Sequence, residues 1–115
     1  MILHRIVKTN PPTADDFTSA MPHKPMPRLP PELQRLQTGI SAYRTLRQAM
    51  AKANRYPMLG SYIGVLDLPA EAPVSIERTT QQRGHFTIWA EPPVLLGFVI
   101  AVVPRGGSTI RSVED

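Results

Sequence analysis

The sequence predicts a small α+β domain. It would hold a mixed, mostly antiparallel sheet, one main helix at about 45–55, and short helices in the N-terminal half. Three observations predict this. Six short segments are apolar or alternate apolar with polar residues, as strands do. One longer stretch repeats its apolar residues at helical spacing. Prolines, glycines and polar turns separate these segments, with no internal repeat. A chain of 115 residues fits one domain.

The first strand is "ILHRIV", Ile2–Val7, apolar on both faces as a buried strand is. His4 shares one face with Ile2 and Ile6, and Arg5 shares the other with Leu3 and Val7. Thr13 then opens a short helix with Asp15 and Asp16 in its first turn, where the helix dipole favours acids. Seven of the thirteen prolines lie between Pro11 and Pro31, and residues 21–31 form a Pro-rich arm unable to enter regular helix or sheet. Its Met21, Met26 and Leu29 are expected to dock across the domain near the first strand, leaving Lys24 and Arg28 outward. Pro31 starts a second short helix, "PELQRLQT", stopped by Gly39.

"GISAYRT" is a short strand leading into "TLRQAMAKANRYP", the main helix. Thr45 and Gln48 form a capping box, and Pro57 closes the far end. Leu46, Ala49, Met50 and Ala53 share one face, and Arg44, Arg47, Lys52 and Arg55 spread over the opposite arc. Strands follow at Ser61–Leu68 and in "APVSIERT". After the turn "QQRG", the strand "HFTIWA" alternates: His85, Thr87 and Trp89 face one way, Phe86, Ile88 and Ala90 the other. Pro92 and Pro93 open a helical turn before the last strand, "FVIAVVP". The domain therefore covers 1–104, and the polar, Gly-rich residues 105–115 form a flexible tail.

Composition narrows the chemistry. The absence of cysteine excludes disulfides, thiolate metal sites and a Cys nucleophile. His4, His23 and His85 lie far apart without ligand spacing, so no metal site is expected. There is no Gly-rich phosphate loop and no GxSxG. No apolar run reaches the ~20 residues of a membrane helix, so no membrane partner is expected, and the lack of cysteine fits a cytoplasmic protein. The net charge of +4 points to an anionic partner, a nucleotide or an acidic protein. Nucleic acid is less favoured, because the Arg44/Arg47/Lys52/Arg55 arc lacks interleaved aromatics and a helix-turn-helix context.

The segments "LHR", "GISAYRTLRQAMAKA" and "GSYIGVLDLP", in that order over residues 2–68, resemble the front half of ADP-ribosyltransferase-type domains. The resemblance implies a small NAD-using transferase of the kind found as bacterial toxins and effectors. It implies that His4 and Arg5 hold the NAD ribose, and that Ser41 and Tyr43 belong to the segment leading under the nicotinamide. A Glu on a later strand would orient the ribose, with Glu91 or Glu77 as candidates. Its catalytic set is thus His4, Tyr43 and Glu91, and its cofactor-binding set Arg5, Ser41, Arg44, Trp89 and His85. Chemically, a carboxylate stabilises the oxocarbenium-like ribose, Tyr43 or Trp89 walls the nicotinamide, and Arg5 or Arg44 takes the pyrophosphate. The chain departs from the pattern at Ala53, where a second tyrosine is expected, and in lacking a strand-end Glu preceded two residues earlier by Glu or Gln.

Two other readings stay open. One is a non-catalytic protein-interaction module whose basic surface holds an acidic partner. The other is an RNA-binding or RNA-cleaving protein with His4 or His85 as general acid or base. The enzyme readings require a histidine, an aromatic ring and a carboxylate to converge on one cleft.

Overall fold

The computed structural model describes residues 1–19, 30–79 and 83–106. The expected docking of the Pro-rich arm falls on residues outside these. So does the tail beyond Gly106.

The strands are β1 (Ile2–Val7), β2 (Ile40–Tyr43), β3 (Tyr62–Asp67), β4 (Ser75–Arg78), β5 (His85–Trp89) and β6 (Val99–Pro104). They form one sheet in the order β4-β5-β2-β1-β3-β6. Each ladder is antiparallel, so the sheet expected to be mostly antiparallel is so throughout. The helices are α1 (Pro31–Gln37), α2 (Leu46–Arg55) and α3 (Pro92–Leu96). Short 3-10 turns lie at Ala14–Phe17 and Pro57–Leu59. No helix of the described residues is long and apolar enough to cross a membrane.

The two faces of the sheet carry separate apolar clusters. Leu3, Val7, Ala42, Leu66, Phe86 and Ile88 pack on one face, closed by Phe17 and by Leu95 of α3. Ile6, Tyr43 and Ile63 face the other way, against Ala49, Met50 and Ala53 of α2. The first strand, read in the sequence as apolar on both faces, is thus used on both sides. Ala49 and Ala53, two of the three alanines of α2, are fully buried, which lets the helix lie close to the sheet. Thr45 and Gln48 cap α2 reciprocally: the Gln48 N–H donates to the Thr45 hydroxyl at 3.1 Å, and the Thr45 N–H donates to Oε1 of Gln48 at 3.2 Å.

Two glycines fix the approach of α2 to its surroundings. Gly84 has φ +82, which an L side chain rarely adopts, and a Cβ there would collide with the Gln48 side chain. Its carbonyl accepts the Arg44 N–H at 2.8 Å, and the Arg83 carbonyl accepts Nε2 of Gln48 at 2.8 Å. Gly60 lets the chain leaving α2 pass against the main-chain carbonyl of Val7, where a Cβ would not fit.

Candidate functional site

The sheet is nearly split at its centre. Toward β3, β1 is paired at every residue from Ile2 to Val7. Toward β2, the register joins His4 to Tyr43 alone. Beyond that point the strands part. The Ser41 carbonyl instead accepts Nη1 of Arg5 at 3.0 Å. A buried carbonyl needs a partner, and here a guanidinium reaching across the gap supplies it. The gap opens as a cleft of about 410 Å³, lined by Arg5, Ile6, Ser41, Tyr43, Lys52 and His85, with Leu59 at its rim.

Arg5 is fixed at both ends of its guanidinium. Nε donates to the main-chain carbonyl of Asp16 at 3.1 Å. Burial pushes its pKa down to about 10, opposed by Asp16 and Tyr43, so it stays charged at neutral pH. The Asp16 carboxylate braces the loop that carries this contact. It accepts the Lys8 N–H at 2.8 Å, the Thr9 hydroxyl at 2.7 Å and the Thr13 N–H at 3.0 Å. Desolvation opposes its charge, but those donors and Arg5 outweigh it and hold the carboxyl below its ordinary range.

His85 is held just as firmly. It sits opposite Tyr43 in the β2–β5 ladder, and the two rings meet edge to face with centroids 5.3 Å apart. Its Nδ1 lies 3.3 Å from the Thr79 carbonyl and 3.1 Å from the Thr79 hydroxyl. A carbonyl only accepts, so Nδ1 carries the proton in the neutral ring. Nε2 is then the acceptor, and the Ser41 hydroxyl donates to it at 3.0 Å. Thr79 and Thr87 complete the chain, their hydroxyls 2.7 Å apart. Burial lowers the His85 pKa, the Thr79 carbonyl opposes this, and Lys52 lowers it further. The ring is therefore a neutral base with its free lone pair turned to a serine hydroxyl. Burial also raises the Tyr43 pKa, against the pull of Arg5, so its phenol stays neutral.

Of the residues singled out from the sequence, Arg5, Ser41, Tyr43 and His85 line one cleft. His4 adjoins it as Tyr43's register partner, 9% exposed, with Nδ1 3.1 Å from the Tyr43 carbonyl. His4 and Tyr43 therefore lie on one side of the sheet, not on opposite sides.

The other four, Trp89, Arg44, Glu91 and Glu77, stand apart. Trp89 is four residues from His85 along β5, roughly 13 Å at strand rise. Its indole donates to the Thr38 hydroxyl at 3.0 Å, and Arg35 lies 4.9 Å from its ring centroid. Arg44 points away from the cleft, over the Phe86 ring at 5.7 Å. Glu91 precedes α3, where its carbonyl accepts the Val94 N–H at 2.9 Å. Glu77 is engaged by Arg35 at 3.0 Å. The convergence expected for an enzyme is thus met by histidine and aromatic ring, while no described carboxylate lines the cleft. Among the described residues, no group of acidic or histidine side chains is placed to hold a metal ion.

Sequence reasoning missed Lys52, Thr79 and Thr87 as parts of the site. Lys52 was placed on the solvent arc of α2, yet it lines the cleft. Thr87 shares the face of His85 by simple alternation, a signal that was available. Thr79 becomes a neighbour only through the β4–β5 ladder, which short-range patterns do not reveal. Compared with known proteins, the chain matches no family model, no curated protein and no solved structure.

Proposed function

We propose that the cleft between β1 and β2 is a nucleotide site that takes NAD, and that the protein is a small ADP-ribosyltransferase-like domain. One observation carries the reading: four residues chosen for NAD on sequence resemblance, Arg5, Ser41, Tyr43 and His85, line a single cleft. In this reading Arg5 and Lys52 offset the pyrophosphate charge, and the Tyr43 ring walls the nicotinamide. The Ser41 hydroxyl and His85 bind ribose oxygens.

Transfer requires no charged leaving group. An acceptor hydroxyl attacks C1′ of the nicotinamide ribose, and the C1′–N bond breaks. Its electron pair goes to the pyridinium, which departs as neutral nicotinamide. The acceptor's proton passes to Nε2 of the neutral His85 once the Ser41 hydroxyl turns from that nitrogen to the ribose. Glu91 and Glu77 take no part in this scheme, because neither lines the cleft.

The test is calorimetric titration with NAD, followed by an assay for nicotinamide release. Saturable binding that is lost in Arg5→Met and Tyr43→Ala, with release that is lost in His85→Asn, supports the reading. Binding without release reduces the protein to a nucleotide-binding module. No binding by the folded wild-type chain overturns the nucleotide site.

A further inference from the structure

Beside the central cleft runs a second surface that the nucleotide reading does not use. A cavity of about 410 Å³ at the start of α2 is lined by Arg44, Arg78 and Arg83, with Thr45, Gln48 and Phe86. Another, of about 440 Å³, is lined by Arg47, Lys52 and Arg55, with Gln48 and Tyr56. The two share Gln48, and the second shares Lys52 with the central cleft. The three cavities therefore form one path around α2.

Among the described residues, no Asp or Glu lines any of the three. The ion pair seen among the described residues, Arg35–Glu77, uses none of these cations. Elsewhere the protein does pair its cavities with acids: the cavity holding Lys8 also holds Asp15 and Asp16. The concentration of like charge around α2 is thus local and, among the described residues, faces no acid, which favours a polyanion.

Aromatic rings lie between these cations. Arg44 covers Phe86, and both Lys52 and Arg55 cover Tyr56, at 4.9 and 5.5 Å from the ring centroid. Tyr56 is 43% exposed. The interleaving missed in the sequence is supplied by Tyr56, one residue past the helix, and by Phe86 from β5.

We propose that this path binds the backbone of a single-stranded nucleic acid and leads it to the central cleft. The cations take phosphates, and the exposed Tyr56 ring stacks on an unpaired base. An acidic peptide would match the charge but brings no base to set against the exposed ring. A duplex keeps its bases in the stack and out of reach. From Thr45 to Tyr56 the path follows a helix face of roughly 17 Å at helical rise, enough for a few nucleotides. The proposal goes beyond the nucleotide reading and is measured without NAD, so either can fail alone.

The test is fluorescence anisotropy with end-labelled RNA and DNA strands of about 12 nucleotides, a length within known site sizes. Salt is varied from about 50 to 200 mM. Roughly four phosphate contacts predict a log–log salt slope of about −3. Arg44→Gln with Arg83→Gln should weaken binding about tenfold and flatten the slope by about 1.4. Tyr56→Ala should weaken binding about tenfold and leave the slope unchanged. Arg105→Gln, at the end of the opposite edge strand, should change neither. Binding of both strands supports recognition of phosphate and base, and binding of only one supports the proposal while assigning the sugar. The proposal is overturned by absent or salt-insensitive binding, by equal affinity for a duplex, or by equal competition from a polyglutamate peptide of matched charge. An Arg105→Gln loss as large as that of the double variant also overturns it.

Discussion

β1 uses its two edges differently. Against β3 its ladder runs unbroken from Ile2 to Val7, and the residues beneath it, Leu3, Val7 and Leu66, are dry core. Against β2 the ladder holds at His4–Tyr43, and side chains take over beyond it. Arg5 replaces main-chain donors at Ser41, and His85 takes the Ser41 hydroxyl. The continuous edge supplies rigidity. The interrupted edge supplies a cleft in which polar groups stay accessible yet held. Opening a sheet exposes main-chain groups that must be satisfied, so a cleft of this kind needs fixed polar side chains at its lip. Those same side chains can meet a ligand.

The comparison is broken most severely through α2, which packs on the face that holds the split. Met50 lies 8% exposed against Tyr43 and Ile63. Met50→Asp buries an unpaired charge there, and a loss of about 3 kcal/mol or more is expected in denaturant unfolding. Near-wild-type stability would mean that α2 does not pack as described.

The two edges separate under a pair of smaller changes. Leu66→Ala, on the continuous side, should cost about 2–5 kcal/mol of stability and leave NAD affinity unchanged while the protein is folded. Arg5→Met should cost only about 1–3 kcal/mol, from carbonyls left without a donor, yet abolish NAD binding. Equal effects of both variants on affinity would erase the distinction between the edges.

A smaller effect comes from pH. The folded-state pKa of His85 is depressed, so near and below its ordinary value of about 6.5 the unfolded chain takes up a proton that the folded ring resists. Its contribution to stability is complete above that value. It is lost as pH falls toward the folded pKa, and the loss levels off below it. His85→Asn should remove this dependence. A wild-type minus variant difference in stability that stays constant from pH 7.5 to about 5 would contradict a buried neutral His85.

Much of the fold was legible because its elements obey short-range rules. All six strands, the capped α2 and its Leu46/Ala49/Met50/Ala53 face follow from periodicity and turn residues. The splitting of the sheet was not legible. "LHR" and "ISAY" read as ordinary strands, and nothing in either says that their pairing stops after one register pair. The site was legible in part for the same reason. Arg5, Ser41, Tyr43 and His85 could be picked by residue type and order. Alternation placed Trp89 on the face of His85 but could not tell how far along the strand the cleft extends. Glu91 was chosen for its chemistry, and its position before Pro92 and Pro93 puts it at a helix start, away from the cleft. Residues brought in by long-range pairing, such as Thr79, leave no local trace.

The proposed nucleotide site is the split between β1 and β2. NMR titration of the labelled protein with NAD tests it most directly. Saturating shifts are predicted at Arg5, Ser41, Tyr43 and the His85 ring, with the His4 ring following as Tyr43 is engaged, while the Trp89 indole N–H and Ile100 on the edge strand stay in place. Shifts confined to the Trp89 and Glu91 end of β5, or no shifts in a folded protein, would contradict it.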